Sequence, residues 1–425
     1  MIALLKLAFV LAGIILLLTR KWNLGLVLLL ASITVGLLFA YPLSGIARDV
    51  FQTVVDPLTL RLVLAVVLIM ALGELLRQTA GLKGLVEALQ ALIPNGRIVI
   101  AVLPALIGLL PMIGGAMFSA PMVDEVGDRL GAEGARKTFI NYWFRHIWEP
   151  IFPLFPSVLL ATALLGLPTT QLIKATWPIA VAAIAGGLLF GVLGLPRAAP
   201  RGLPRAGSRD LPLHAAGDPP QASRTQSLRT LATSIWPIVL VILLSLTLPL
   251  DERFSLNVSL VATIALTMVV KRIPMRDLGT IFRKRIPWDT VFVIAGALIF
   301  RSVLEGSGAV LAVSDALIRL HVPVPVVAFG VPFIGGLMTG LIAAAFSIGF
   351  PVVLPLVVAD GGTIAPGWTA WLVAGGLLGA MLSPMHLCLA LTRTYFKAEW
   401  GPIYRRLAPA ALLIAATAAV VLLLA

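Results

Sequence analysis

The sequence predicts an all-α polytopic membrane protein with about ten transmembrane helices and two re-entrant hairpins, arranged as two inverted-topology repeats. Composition gives the first indication, because 59% of the 425 residues are hydrophobic, 12% are charged and the mean hydropathy is +1.02. A soluble protein of this length could not bury that much apolar surface in its core. The other two indications are the length of the apolar runs and an internal repeat.

The apolar runs are long enough to cross a hydrocarbon layer about 30 Å thick. They predict ten spans, at about 2–18, 24–40, 58–76, 139–165, 172–194, 231–249, 254–270, 288–304, 368–392 and 403–424. The first run lacks a basic leader and a small-residue cleavage site, so we interpret it as a span and not as a cleaved signal.

Two further apolar segments, 98–123 and 325–358, are interrupted by proline and glycine and predict the hairpins. Their landmarks recur at an offset of 228 residues, with Phe118-Ser119 matching Phe346-Ser347. Gly115 and Gly349 lie close to these serines. Interrupted apolar segments at corresponding positions of two halves point to the binding site of a transporter. We therefore predict that Ser119, Ser347, Gly115 and Gly349 contribute to binding a solute or ion.

These features predict five regions along the chain. Residues 1–57 form two N-terminal helices, 58–194 the first repeat, 195–230 a basic linker, 231–287 two scaffold helices with a basic loop, and 288–425 the second repeat. The linker is rich in Arg, Pro, Gly and Ser, a composition that is typical of a disordered connection.

The basic residues predict the orientation. With the N-terminus outside, 24 of the 32 Lys and Arg residues fall in inside segments and five in outside segments. This bias follows the positive-inside rule and accounts for the net charge of +13 without a nucleic-acid partner. We expect the lipid bilayer to be the partner of the apolar surface and the basic loops to be cytoplasmic.

Each predicted hairpin is followed by a span that contains proline, reading NYWFRHIWEPIFPLFP in the first half and MLSPMHLCLALT in the second. Proline removes an amide donor and frees a carbonyl one turn earlier. Within a bilayer, freed backbone groups are tolerated only inside protein or beside an aqueous cavity. The two broken helices and two hairpin tips are therefore predicted to meet near the membrane midplane.

Arg145, His146 and Glu149 lie at the end of the first broken helix that enters the membrane. Arg145 and Glu149 are four residues apart and can pair, so one interpretation is a self-neutralising ion pair with His146 packed beside it. The alternative is a role in substrate binding or proton coupling, because charges inside a span usually face a cavity or one another.

Further candidates are Ser383 and His386 in the second broken helix, and Asn141 in the first, with Thr392 as a weaker one. A buried histidine is often only a hydrogen-bonded core residue, and a membrane serine often bonds its own helix. The match between Ser119 and Ser347 favours a ligand role for these two hydroxyls.

Several classes of site have no signature in the sequence. There is no phosphate-binding G-x-x-x-x-G-K-[ST] loop, no H-E-x-x-H motif, and no Cys/His cluster with metal-ligand spacing. The single cysteine, Cys388, lies in an apolar run. We therefore expect no metal site, no cofactor and no enzymatic activity. The remaining enzyme hypothesis is an intramembrane hydrolase using Ser119 and His146.

The segments GGAMFSAPMV, NYWFRHIWEPIFPLFP and SPMHLCLALT resemble a prokaryotic membrane family called domain of unknown function 401. That family looks like a branch of the ion transporter superfamily, which includes carriers of carboxylates and arsenite and sodium/proton antiporters. The resemblance implies a secondary-carrier fold in a prokaryotic plasma membrane, and a homodimer. In the dicarboxylate carriers, Ser-Asn-Thr signatures bind substrate and sodium; this chain keeps only Ser119 and Ser347 at the tips.

Together these observations predict an ion-coupled secondary transporter of a small anionic solute, such as an organic carboxylate or an oxyanion. The coupling ion could be a proton, through His146, Glu149 or His386, or sodium at the hairpin tips. The alternative is a cation/proton antiporter, for which Glu149 is the available intramembrane carboxylate.

Overall fold

A computed structural model describes residues 2–79, 88–89, 92–93, 95–109, 115–196, 223–358 and 362–425. These residues form helices and short connections, and no strand occurs among them apart from an isolated bridge between Val358 and Ile364. The prediction of an all-α protein is confirmed.

The first half of the chain contains nine described helices. They are α1 (Ile2–Thr19), α2 (Leu24–Leu38), α3 (Leu43–Val55), α4 (Pro57–Thr79), α5 (Gly96–Gly108), α6 (Ala116–Arg129), α7 (Gly134–His146), α8 (Pro156–Leu165) and α9 (Thr169–Gly187), which a π-turn (Leu188–Val192) extends.

The second half contains ten described helices. They are α10 (Arg224–Thr247), α11 (Glu252–Lys271), α12 (Met275–Lys284), α13 (Trp288–Gly306), α14 (Ala309–Arg319), α15 (Val324–Thr339), α16 (Ile342–Val357), α17 (Pro366–Leu382), α18 (Leu387–Tyr395) and α19 (Trp400–Leu424).

Several of these helices are long and apolar enough to cross a membrane, so the chain is a multi-pass membrane protein. Seven spans in the described residues qualify: Ile2–Thr19, Pro57–Gln78, Thr169–Val192, Arg224–Thr247, Phe254–Lys271, Pro366–Tyr395 and Trp400–Leu424. An eighth is the pair α12–α13, which bends by 58°. Many of their outward side chains are large and apolar, as lipid contact requires.

Seven or eight spans are fewer than the ten predicted, for two physical reasons. Helix α2 has 15 residues and is therefore about 22 Å long, shorter than the hydrocarbon layer. The predicted span 139–165 is divided, because residues 147–155 are not helical and separate α7 from α8. Prolines 150 and 153 lie in that interval, where each lacks an amide donor for a helix.

The two predicted hairpins are pairs of packed helices in the structure. Helices α5 and α6 contact each other. The predicted tip of this hairpin, residues 110–114, lies outside the described residues. Helices α15 and α16 also contact each other and are joined through Gly340, whose φ of +68° is accessible to glycine at little cost.

The predicted linker needs a correction at its end. Residues 197–222 lie outside the described residues, whereas helix α10 begins at Arg224, capped by the hydroxyl of Ser223, which accepts from the Gln226 amide at 3.2 Å. The last residues assigned to the linker are therefore helical. Helix α3, with a polar and an apolar face, was not predicted at all.

Helices of the two halves pack in a reciprocal pattern. Helix α2 packs on α13, and α11 packs on α4. The first long helix of each predicted repeat is therefore covered by a helix from the other half of the chain. Likewise α6 packs on α18, and α16 on α8. The second helix of each hairpin thus contacts the short helix beyond the break of the other half.

Candidate functional site

The break in the first half begins where α7 ends at His146. The Nδ1 atom of His146 lies 2.7 Å from the carbonyl oxygen of Tyr142, one turn earlier. Farther along the break, the hydroxyl of Thr176 donates to the Pro150 carbonyl at 2.6 Å. Side chains therefore contact one carbonyl in the last turn of α7 and one within the non-helical segment, as expected where a break lies inside a membrane.

The break in the second half, residues 383–386, exposes the last carbonyls of α17. Three side chains reach them: His386 Nδ1 lies 3.2 Å from the Ala380 oxygen, the Tyr142 hydroxyl donates to Met381 at 3.0 Å, and the Tyr404 hydroxyl donates to Leu382 at 2.7 Å. Because the end of a helix leaves its carbonyls without intrahelical donors, these bonds stabilise the interruption. The bond from Tyr142 also connects the two halves.

Arg145 is buried, with 7% of its surface exposed. Its Nη1 lies 3.3 Å from the Ile107 carbonyl at the end of α5, and its guanidinium is a hydrogen-bonding neighbour of the Cys388 thiol. Two glycines make room for it: a Cβ on Gly108 would lie 2.5 Å from the Arg145 carbonyl oxygen, and one on Gly115 would overlap the guanidinium. The first hairpin and the second broken helix thus enclose this cation together.

His146 and His386 meet across the boundary between the halves. Their Nε2 atoms are 3.2 Å apart, and the rings are nearly perpendicular, at 87°. Tyr142 packs edge-on against the His386 ring, with ring centroids 5.1 Å apart. The sulfur of Cys388 lies within 4.8 Å of ligand nitrogens of both histidines.

Asn141 forms a second polar contact between the halves. Its Nδ2 donates to the Ala116 carbonyl at 3.0 Å and to the Thr392 hydroxyl at 3.2 Å. Its Oδ1 is buried and accepts no hydrogen bond from the described residues. The hydroxyl of Ser119 lies beside the same carbonyl, 3.3 Å from the Ala116 oxygen.

Other predicted residues lie in simpler surroundings. Ser347 is fully buried and donates to the Ala343 carbonyl of its own helix at 2.7 Å, while Ser383 donates to the Leu337 carbonyl of the second hairpin at 2.6 Å. Glu149 accepts a 2.9 Å bond from Ser157, whereas Arg145 reaches the partners described above. A Cβ on Gly349 would lie 2.7 Å from Pro332, so this glycine allows α15 and α16 to approach closely.

The predicted hydrolase pair does not form in the described residues. Ser119 donates to the Ala116 carbonyl of its own helix, and the ring nitrogens of His146 face Tyr142 and His386. The residues that bring the site together instead include Tyr142 and Cys388, which the sequence did not single out. Their position on the broken helices, one turn from Arg145 or His386, is the signal that could have identified them.

An apolar cleft lies elsewhere among the described residues. It measures about 160 Å³ and is lined mainly by apolar side chains of α4, α8, α9, α10 and α11, including Leu62, Ile173 and Leu246. No buried charge converges there as it does at Arg145, so we assign the candidate site to the breaks.

With this geometry established, comparison with known families gives one match. The chain matches the family described as "Protein of unknown function (DUF401)" over residues 2–203 and 215–425. The chain therefore belongs to that family, as its motifs indicated. A comparison with curated proteins gives no match.

Proposed function

We propose that this member of the DUF401 family is an ion-coupled secondary active transporter that moves a small anionic solute, an organic carboxylate or an oxyanion, by alternating access. The observation that carries the proposal is the buried Arg145, enclosed by the first hairpin and the second broken helix. A charge at this depth is costly and marks a functional site by default. The planar fork of a guanidinium matches the paired oxygens of carboxylates and oxyanions.

The reciprocal packing supports a mechanism with two related halves. Apart from α14, which has no counterpart among the described residues, the order of elements from α4 to α9 recurs from α13 to α19, with a hairpin followed by a broken helix and a long helix in each. We propose that the two units have inverted topology, with α5–α6 and α15–α16 as re-entrant hairpins. Transporters built this way place the site where the repeats meet and move one part against the other.

The orientation proposed for the membrane follows from the charges. We place the N-terminus outside and the basic loops in the cytoplasm of a prokaryotic cell, because the Lys and Arg residues then concentrate inside. A homodimer is part of the same proposal, by analogy with the carriers that the family resembles.

The surroundings of Asn141 support sodium as the coupling ion. A buried amide oxygen without a hydrogen-bond donor is unfavourable and calls for a partner. Further oxygens lie close to this amide. Its Nδ2 donates to the Ala116 carbonyl and the Thr392 hydroxyl, and the Ser119 hydroxyl lies beside that carbonyl. Hard cations prefer such neutral and anionic oxygens, so we propose that sodium binds beside Asn141.

The experiment is solute uptake by the full-length protein in proteoliposomes. The panel contains carboxylates, oxyanions and cations, each offered under a sodium or a proton gradient. We expect uptake of one anionic class, driven by sodium, and its loss in Arg145→Gln. The control Arg301→Gln removes an arginine of α13 that pairs with Glu305 at 2.8 Å outside the site, and should retain uptake.

Two results would redirect or reject the proposal. Sodium or potassium flux against protons that is lost in Glu149→Gln would identify a cation/proton antiporter. Absence of flux for every solute under both gradients, from protein that is shown to be folded, would reject a transport function.

A further inference from the structure

The protonation states of His146 and His386 are restricted by their backbone partners. Each Nδ1 lies against a carbonyl oxygen, Tyr142 at 2.7 Å and Ala380 at 3.2 Å. A carbonyl only accepts hydrogen bonds, so these contacts favour the tautomer that carries the hydrogen on Nδ1 in each ring. In a neutral imidazole with Nδ1–H, the other nitrogen, Nε2, holds a lone pair.

Those two lone pairs face each other, because the Nε2 atoms are 3.2 Å apart. Two acceptors at that distance repel, and both rings are at least nine-tenths buried, so water does not screen them. A positive charge between the nitrogens removes this repulsion. That charge is either a shared proton or a metal ion.

The position of Cys388 favours a metal ion over a shared proton. Its sulfur lies within 4.8 Å of the histidine nitrogens and comes two residues after His386. The Arg145 guanidinium and the Ala116 backbone amide at the start of α6 both lie beside that sulfur. A bound transition metal ion displaces the proton of a coordinating thiol and takes the thiolate as its ligand. A shared proton would make no use of a thiolate, whereas a metal ion would.

The separation of the two histidine nitrogens fits a metal of the zinc type. Two imidazole nitrogens bound at about 2.0–2.1 Å to a tetrahedral ion lie about 3.3 Å apart, close to the 3.2 Å observed. Metal-bound histidines almost always donate their other N–H to a carbonyl or carboxylate, and the Nδ1 of each histidine here lies against a carbonyl oxygen. Two imidazoles and a thiolate favour borderline or soft transition metals over hard cations.

We propose that His146, His386 and Cys388 form a binding site for a zinc-type transition metal ion at the contact between the two halves. His146 is the last residue of α7, whereas His386 and Cys388 lie on either side of the first residue of α18. Binding would therefore hold the halves in the arrangement described here. This inference does not depend on the transport proposal, since it can be tested without any solute.

The chain has one cysteine, which gives a direct test on the unmodified sequence. Full-length protein in detergent is stripped of metal with a chelator and treated with a small thiol reagent, with and without Zn²⁺. We expect Zn²⁺ to slow alkylation of Cys388 at least about tenfold, because a metal-bound thiolate is a poor nucleophile. His146→Gln should abolish the protection, while His321→Asn should retain it. His321 is exposed, and its φ of +52° is tolerated by asparagine.

Co²⁺ provides an independent readout, since its thiolate charge-transfer absorption appears only when sulfur is bound. We expect that absorption in the parent protein and its loss in Cys388→Ser, with the histidine pair unchanged. If Zn²⁺ does not alter alkylation and Co²⁺ produces no thiolate absorption, the proposal is wrong and the nitrogens share a proton. Protection that persists in His146→Gln would also overturn it.

Discussion

Gly115→Ala should impair solute binding without preventing folding. A Cβ at this position would lie 2.5 Å from Cζ of Arg145 and even closer to both terminal nitrogens of the guanidinium. The group that must move is the end of a flexible side chain, not backbone. We therefore expect the helices to keep their positions while the guanidinium shifts away from the Ile107 carbonyl.

The size of the effect follows from the bond that is lost. A hydrogen bond that involves a charged group contributes about 1.5–3 kcal/mol. If the shifted guanidinium also loses a comparable bond to the solute, affinity falls about 10- to 100-fold, since about 1.4 kcal/mol corresponds to a factor of ten. Stability should fall by about 1–3 kcal/mol, because the Ile107 carbonyl is left without this donor.

Two other glycines make the test specific. Gly108→Ala places its Cβ 2.5 Å from the Arg145 backbone oxygen, so α5 and α7 must separate and folding itself is impaired. Gly330→Ala meets no atom within 4 Å and lies in helix α15. It should leave binding intact and raise stability by up to about 1 kcal/mol.

The assay is thermal unfolding of the three purified variants with and without the solute found in the uptake panel, because a ligand that binds the folded state raises its apparent stability. If Gly115→Ala shows the same solute-dependent shift as the parent protein, Arg145 does not contact the solute and the argument from its enclosure fails.

Three further predictions concern the breaks. Tyr142→Phe leaves the Met381 carbonyl without its donor and should lower the free energy of unfolding by about 1–3 kcal/mol, as measured by chemical denaturation. An unchanged free energy of unfolding would show that this carbonyl needs no donor. Asn141→Leu should remove sodium-dependent thermal stabilisation; persistence of that stabilisation would place sodium elsewhere. Gly340→Ala strains a left-handed turn and brings a Cβ within 2.6 Å of the His386 amide nitrogen. It should therefore reduce both the yield of folded protein and the protection of Cys388 by zinc. If both stay at the level of the parent protein, the close approach of Gly340 to His386 is contradicted.

The helical class and most of the long helices could be predicted from the sequence because apolar runs carry a strong signal. The interruption after His146 was predicted from Pro150 and Pro153, but its effect on the number of spans was not, since an apolar run does not show where its backbone leaves the helix. Helix α3 was missed because its apolar residues alternate with polar ones and form no continuous run.

Among the candidate residues, charge inside a span was the useful signal for Arg145 and His146. The contacts themselves could not be predicted, because His146 and His386 are 240 residues apart and Cys388 belongs to the distant break. A spacing motif can detect metal ligands only when they lie close together along the chain. The matching positions of Ser119 and Ser347 indicate a ligand role, which stays a prediction; in the structure each hydroxyl donates to a carbonyl of its own helix.

The covering of α4 by α11, and of α13 by α2, affects how the protein is made. Pro57 is synthesised about 195 residues before Glu252, which at about 5–20 residues per second is a delay of roughly 10–40 s. During that time the nascent first half must wait in the bilayer with its future contact surface against lipid. Small residues at such a surface, such as Gly25 against Phe292, gain their close fit only when the later helices arrive.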